Sequence, residues 1–136
     1  LVSAANVTYQ SCDCFRNLPV ADGRFPVLVY IHGTAGFRTE SLHSQTHWAS
    51  RGFIVVAADH PGIQLYDLLA DFDLRAPRRV DQEGDVRGIL GALSHLPSSA
   101  TSLAAFAGHL DMARVGIVGH SAGGFACDRL GDVADV

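Results

Sequence analysis

A sharp turn between a short apolar strand and a helix constrains this sequence most. The apolar residues 115–118 are followed by GHSAGG at residues 119–124. The pattern Gly-x-Ser-x-Gly in a strand-turn-helix context is typical of a nucleophile elbow, in which the serine is held in a strained backbone conformation. Gly119 and Gly123 are the turn glycines that let neighbouring backbones approach. We therefore predict that Ser121 is a nucleophile and that the Ala122 amide, at the positive end of the helix, donates to a developing oxyanion.

A second loop fits the same chemistry. The sequence HGTAG at residues 32–36 follows a continuous apolar run at 25–31, which is typical of a strand buried on both faces. Acyl transfer needs a second backbone donor after such a strand, and the amide of Thr34 is the natural candidate. Alone, this loop would be interpreted as an ordinary glycine turn. The serine turn downstream favours the oxyanion interpretation.

Other classes of site fit the sequence poorly. Ser121 stands where a dinucleotide-binding fingerprint needs its second glycine, and a phosphate loop needs a lysine, whereas all ten basic residues are arginine. The net charge of −4 offers no footprint for nucleic acid. His43 and His47 have the spacing of metal ligands, but they lack an intervening Glu and an evident third ligand. The sequence therefore predicts no cofactor, no metal and no nucleic-acid partner, and its apolar runs are too short for a membrane span of about 20 residues.

Strand-like and helix-like segments alternate along the chain, which predicts an α/β fold with a mostly parallel sheet and covering helices. The predicted strands are 25–31, 53–58 and 115–118, after an extended lead-in at 6–10 and a turn at 19–24. The predicted helices are 40–51, 82–95, one carrying the stripe Leu103, Phe106, Ala107 and Leu110 after Ser/Thr N-caps, and 121–130 with Ala122, Phe125 and Ala126 inward. Residues 63–80, which contain Pro77, are predicted to be an irregular crossover.

Segments 25–33, 49–62 and 111–124 carry a family resemblance that spans nearly the whole chain. The sequence resembles the α/β-hydrolase superfamily, and within it the dienelactone-hydrolase-like, platelet-activating-factor-acetylhydrolase-like and bacterial cutinase or polyester-hydrolase group. The resemblance implies the α/β-hydrolase fold with helices on both faces of the sheet. It also implies a serine carboxylic-ester hydrolase, an esterase, lipase or cutinase acting on a small, lipid or polyester ester. In that reading Ser121 is the nucleophile, Thr34 and Ala122 provide the oxyanion amides, and Asp59 and His60 brace loops.

The histidine base and the acid of a triad follow the serine in this fold, in the order Ser, acid, His. No histidine follows Ser121, and Asp128, Asp132 and Asp135 are interpreted as a solvated helix face or cap. We therefore expect residues 1–136 to be the amino-terminal portion of one hydrolase domain, through the nucleophile strand and its helix. The base and acid would come from the carboxyl-terminal half, in cis or as another chain. The alternative is a non-catalytic hydrolase-fold domain, or an inactive fragment, that serves as an interaction scaffold.

Cysteine usage and the start of the chain leave the compartment open. Cys12 and Cys14 are too close to favour bridging each other, and a bridge from either to Cys127 competes with buried free thiols. The chain begins at Leu1 without Met or a basic segment, so a signal segment has been removed or the sequence begins internally. A secreted or periplasmic location is favoured over a cytoplasmic one.

Overall fold

A parallel sheet with helices on both sides forms the frame of the molecule. The computed structural model describes residues 14, 15, 17–71, 79–96 and 103–133. Within these ranges the sheet has three strands in the order β2-β1-β3, all parallel. The strands are β1 (Phe25–Ile31), β2 (Ile54–Ala57) and β3 (Leu110–Gly119). The helices are α1 (Leu42–Ser50), α2 (Leu65–Asp71), α3 (Gln82–Ser94) and α4 (Ala122–Cys127), with a 3-10 turn at Ala104–Phe106. The predicted α/β class is confirmed.

The central strand β1 is covered on both faces. Side chains alternate between the two faces of a strand. One face packs on α3 and α4 through the buried side chains of Val27, Val29, Ile31, Val86 and Ala126. Tyr30 lies on the opposite face, where its ring centroid is 6.3 Å from that of Trp48 in α1. The prediction of helices on both faces of the sheet is therefore confirmed.

The strand order creates a crevice at one edge of the sheet. The chain passes from β1 through α1 to β2 on one side, whereas β3 pairs with the other side of β1. Ligands of open α/β sheets bind outside the carboxyl ends of the strands where the order reverses in this way. Residues Ile31 and Gly119 are register partners, and the His120 amide donates to the Ile31 carbonyl at 3.0 Å. The loop after β1 and the turn after β3 therefore meet at the crevice.

Strand β3 begins earlier than predicted and replaces part of a predicted helix. The prediction of a helix carrying the apolar stripe from Leu103 to Leu110 is wrong, because the structure has a single 3-10 turn there and Leu110 already pairs with Phe25. The Phe25 amide donates to the His109 carbonyl at 2.8 Å, and Gly108 has a φ of +84°. Pairing with β1 thus outweighs the local helical pattern. The register then shifts at Pro26/Val27.

Helix α2 lies in the segment predicted to be irregular. That prediction is wrong for residues 65–71, which form two helical turns. The Asp67 carboxylate accepts the Gly62 amide at 2.6 Å and the Gln64 side-chain amide at 3.2 Å. An acidic side chain that satisfies amides at a helix start is a standard stabilising feature. Pro77 lies outside the described residues.

The remaining helices follow the predictions with shifted ends. Helix α1 begins at Leu42 rather than at residue 40, and α3 ends at Ser94 with His95 as its C-cap. Asp81 caps the start of α3, where its side chain accepts the Gly84 amide at 2.9 Å. The sheet strand β2 spans residues 54–57 of the predicted 53–58.

Helix α4 ends at Cys127 instead of reaching residue 130, and its outward face differs from the prediction. Phe125 was expected to point inward and is 79% exposed, whereas Leu130 beyond the helix is fully buried. Leu130 belongs to the buried core cluster that also contains Val86 and Leu93. The predicted turn at 19–24 contains bends at Asp22 and Gly23.

Some predictions concern residues that the structure does not describe, and two others concern the cysteines and membrane spans. The extended segment 6–10, Cys12 and the Ser/Thr caps at 98–102 lie outside the described residues. Cys14 is disulfide-bonded and Cys127 is a free thiol. Both expectations are therefore wrong, because the bridge to Cys127 is not formed and Cys14 is not a free thiol. No helix within the described ranges is both long and apolar enough to cross a membrane.

Candidate active site

Ser121 has the strained backbone of a nucleophile turn. Its φ is +53° and its ψ is −116°, immediately before α4. Such a conformation costs on the order of 1–3 kcal/mol in a non-glycine residue and persists only where the surroundings fix it. Here the Gly123 amide donates to the His120 carbonyl and the Gly124 amide to the Ser121 carbonyl, each at 2.9 Å. The side chain of Ser121 is exposed at the crevice.

The two turn glycines are required by backbone contacts. A methyl group on Gly119 would overlap the carbonyl group of Gly123. A methyl group on Gly123 would overlap the carbonyl oxygen of Ile31 at the end of β1. Backbone contacts therefore give a steric reason for glycine at both positions.

The loop after β1 lies directly against the serine turn. A methyl group on Gly33 would lie 3.0 Å from both the Ser121 Cβ and the His120 carbonyl oxygen. Thr34, the next residue, is exposed, and the chain then turns through Ala35 at a φ of +61°. Neither the Thr34 amide nor the Ala122 amide has a hydrogen-bond partner among the described residues. Two unpaired backbone donors thus lie on the segments that flank Ser121.

His32, the first residue of this loop, has a packing role. It is fully buried, its Nδ1 hydrogen-bonds the Gly33 carbonyl at 2.8 Å, and its Nε2 accepts the His60 amide at 2.9 Å. The Gln82 side-chain amide donates to the His32 carbonyl at 2.8 Å. Both ring nitrogens are therefore occupied, and His32 cannot take a proton from Ser121.

The buried side chain of His60 pairs with Asp85, whose side chain is partly exposed. Its Nδ1 lies 2.9 Å from an Asp85 carboxylate oxygen, and its Nε2 is buried without a partner in the described part of the chain. Burial lowers the pKa of His60, although the Asp85 hydrogen bond opposes that shift. Next to it, Asp59 accepts the Arg38 amide at 2.7 Å. These contacts fit the expected loop-bracing positions of Asp59 and His60.

None of the seven histidines of the sequence, all of which lie in the described ranges, hydrogen-bonds the Ser121 hydroxyl. His120 is exposed, and its Nδ1 lies 3.3 Å from Glu40. His43 and His47 are exposed on α1, and within the described ranges no three His, Cys, Asp or Glu side chains form a metal-binding group. The turn at Ser121 therefore has no histidine hydrogen-bonded to the serine within the described residues.

The family comparison agrees with this geometry. A family model described as Chlorophyllase matches residues 8–130. This chain belongs to the chlorophyllase family. That family is an esterase group of the α/β-hydrolase type, so the superfamily resemblance and the hydrolase class are confirmed. Searches of curated proteins and of solved structures gave no match.

Asp132, one of the acidic residues after Ser121, pairs with an arginine in this chlorophyllase-family chain. Asp132 accepts two hydrogen bonds from the Arg87 guanidinium, at 2.8 and 2.9 Å, which join the segment after α4 to α3. This pairing raises the pKa of Arg87 and lowers that of Asp132. Asp128 is exposed at the end of α4, and Asp135 lies outside the described residues.

Cys127 is the other nucleophilic side chain near the turn, and its surroundings disfavour reaction. It lines an apolar groove of about 800 Å³ along β3, with Leu28, Ile117 and Leu130. Burial raises the pKa of the Cys127 thiol. Because the thiolate is the reactive form, Ser121 is the stronger nucleophile candidate of this chlorophyllase-family chain.

Sequence reasoning missed one residue at this site, Glu40. Its side chain is 17% exposed and it reaches both the loop after β1 and the turn after β3. The sequence placed Glu40 in the first turn of α1, where an acidic residue has an ordinary explanation. Its contacts come from the tertiary fold, so no local pattern indicates them.

Proposed function

We propose that this protein is a serine carboxylic-ester hydrolase that forms an acyl-enzyme at Ser121. The observation that carries the proposal is the strained Ser121 backbone against the Gly33 loop, with the unpaired amides of Thr34 and Ala122 on either side. The substrate is an ester of the small, lipid or polyester class. Membership of the narrower dienelactone-hydrolase, acetylhydrolase or cutinase-like group is part of this proposal.

The reaction uses these atoms in sequence. The Ser121 hydroxyl oxygen attacks the ester carbonyl carbon, and the Thr34 and Ala122 amides donate to the resulting oxyanion, each being worth about 3 to 4 kcal/mol. The intermediate expels the alcohol and leaves the acyl group on Ser121, which water then hydrolyses to a carboxylic acid. A base must take the Ser121 proton and return it to the leaving alcohol. We assign that histidine and its acid to residues beyond Val136, in cis or on another chain.

Covalent labelling tests this proposal. The full-length protein should react with a fluorophosphonate and cleave short p-nitrophenyl esters, and Ser121→Ala should abolish both. Loss of the nucleophile or base from such a triad costs on the order of a million-fold in turnover. Ser94→Ala is the matched control, because the Ser94 hydroxyl donates to the Leu90 carbonyl on the exposed side of α3. Labelling that persists in Ser121→Ala would contradict the proposal.

A non-catalytic hydrolase-fold domain or an inactive fragment that acts as an interaction scaffold is the second candidate. It is favoured by the lack of any histidine hydrogen-bonded to Ser121 in the described ranges. The two candidates differ in one measurement. The scaffold predicts that the full-length protein neither reacts with the phosphonate nor hydrolyses any ester of the panel.

A further inference from the structure

Glu40 connects three segments of the site through one carboxylate oxygen. Its Oε1 accepts the Tyr30 hydroxyl at 2.8 Å and the Gly33 amide at 3.3 Å, and it lies 3.3 Å from the His120 Nδ1. Tyr30 lies near the end of the central strand, Gly33 precedes Thr34, and His120 precedes Ser121. A single side chain thus contacts the two segments that carry the unpaired amides.

The packing around Glu40 leaves its carboxylate little freedom. A methyl group on Gly36 would overlap the Glu40 carboxylate, so the loop from Gly33 to Gly36 wraps closely around it. The Tyr30 hydroxyl also hydrogen-bonds Ser41 at 2.7 Å. Burial raises the pKa of Tyr30, and Glu40 adds to that shift, so the phenol remains a proton donor at neutral pH.

We propose that Glu40 is a positioning residue that fixes the separation of the Thr34 and Ala122 amides. It acts through the Gly33 amide on one side and the His120 ring on the other, and it does not touch the substrate. Its acceptor position, rather than its negative charge, is the property that matters. This inference rests on the proposed function, since it concerns the oxyanion site of that reaction.

Three substitutions separate position from charge. Glu40→Gln keeps an oxygen in place without the charge, Glu40→Asp keeps the charge and withdraws the oxygen by one methylene, and Glu40→Ala removes both. Loss of one oxyanion donor costs about 100- to 1,000-fold in kcat, and a displaced donor should cost part of that. We expect Glu40→Ala and Glu40→Asp to lower kcat by about 10- to 100-fold with KM nearly unchanged, and Glu40→Gln to stay within about threefold of the wild type.

The experiment measures kcat and KM on p-nitrophenyl butyrate, the rate of fluorophosphonate labelling and the thermal unfolding midpoint in the full-length protein. Glu83→Gln, Glu83→Asp and Glu83→Ala are the matched controls, because Glu83 in α3 pairs with Arg129 in the segment after α4. They should keep wild-type kcat. Comparable unfolding midpoints for wild type and Glu40→Asp make a loss of kcat a positional effect.

The outcomes are distinct. If the wild type reacts but Glu40→Asp and Glu40→Ala keep its kcat, the positioning role is wrong and the proposed function stands. If Glu40→Gln loses as much kcat as Glu40→Ala, the positional explanation is also overturned. If the wild type shows no Ser121-dependent labelling, the proposed function itself fails.

Discussion

Ser121 has a backbone conformation that its own side chain disfavours, and the neighbouring main chain holds it there. The carbonyls of Ile31 and Gly123 lie where side chains on Gly123 and Gly119 would have to be. Glycine at these positions is therefore a steric requirement of the serine turn. The sequence motif indicates these residues because the steric requirement is local.

Gly119→Ala should destabilise the protein by about 1–3 kcal/mol, as expected for a group forced into a packed interior. The added methyl must displace the backbone of α4, so Ser121 labelling should fall as well. Urea denaturation and fluorophosphonate labelling measure the two effects. Gly124→Ala is the control, because its methyl would lie 3.5 Å from the Gly119 carbonyl oxygen, an ordinary contact. Equal stability of the two variants would contradict the steric argument.

His60 should make stability depend on pH. Its pKa in the folded state is below the ordinary value of 6.5, mainly because burial disfavours the charged ring. The unfolded chain therefore binds the proton first on acidification. The stabilisation is complete above about pH 6.5 and is lost as the pH falls below 6.5 towards the folded-state pKa.

Urea denaturation between pH 7.5 and 5 tests this dependence. The His60→Gln variant should lose less stability across that range than the wild type does, whatever its stability at pH 7.5. His43→Gln, at an exposed position of α1, should keep the wild-type dependence. A wild-type slope retained in His60→Gln would show that another group is responsible.

The helices and strands differ in how much of their structure is encoded locally. Strand β1 matches its prediction because a run buried on both faces is apolar throughout. Helix α2 was missed although Asp67 and the apolar positions 65, 68 and 69 signal it, because the stripe is short. The helix predicted from the stripe ending at Leu110 is absent for a different reason. Leu110 of β3 pairs with Phe25, and the Phe25 amide donates to the His109 carbonyl. These contacts between residues distant in sequence override the local helical preference.

Helix α3 contains glycines that its structure does not require. A methyl group on Gly88 or Gly91 would meet no atom within 4 Å. Because glycine in a helix interior costs about 0.5–1 kcal/mol relative to alanine, Gly88→Ala and Gly91→Ala should each raise the free energy of unfolding by about that amount. Chemical denaturation measures the gain.

Gly84→Ala, in the first turn of the same helix, provides the contrast. Its methyl would overlap the Asp81 carboxylate that caps α3. We expect this variant to be less stable than the wild type, since a lost N-cap costs about 1 kcal/mol. A gain in all three glycine variants would mean that the cap does not constrain this position.

At the scale of the whole molecule, the core and the site share β1. Ile31 is fully buried among side chains of α3 and α4, and its carbonyl accepts the His120 amide. The side chains of the strand thus pack in the hydrophobic core, while its backbone contacts the serine turn. The catalytic candidates at this edge were predictable from motifs, whereas Glu40 and the His60–Asp85 pair depend on side chains that are 80 and 25 residues apart from their partners.

Ile31 substitutions should separate packing from site geometry. Ile31→Val should lower the free energy of unfolding by about 0.5–1.5 kcal/mol and Ile31→Ala by about 2–5 kcal/mol, because each removes buried methyl groups and leaves a cavity. Leu103→Ala, at a side chain that is 47% exposed, should cost far less. Denaturation curves give these values, and a small effect of Ile31→Ala would mean that the core collapses to fill the space.

The contact between the backbones at Gly119 and Gly123 has a consequence for how such a protein can change over time. Main-chain contacts at Gly119 and Gly123 hold the backbone of Ser121, so residues that line the crevice, Glu40 excepted, can be exchanged without moving it. New substrate preferences are therefore accessible through many small steps that leave the chemistry intact. Substitution of either glycine cannot be compensated by a side-chain change elsewhere, because the atoms that a methyl group would overlap belong to the backbone.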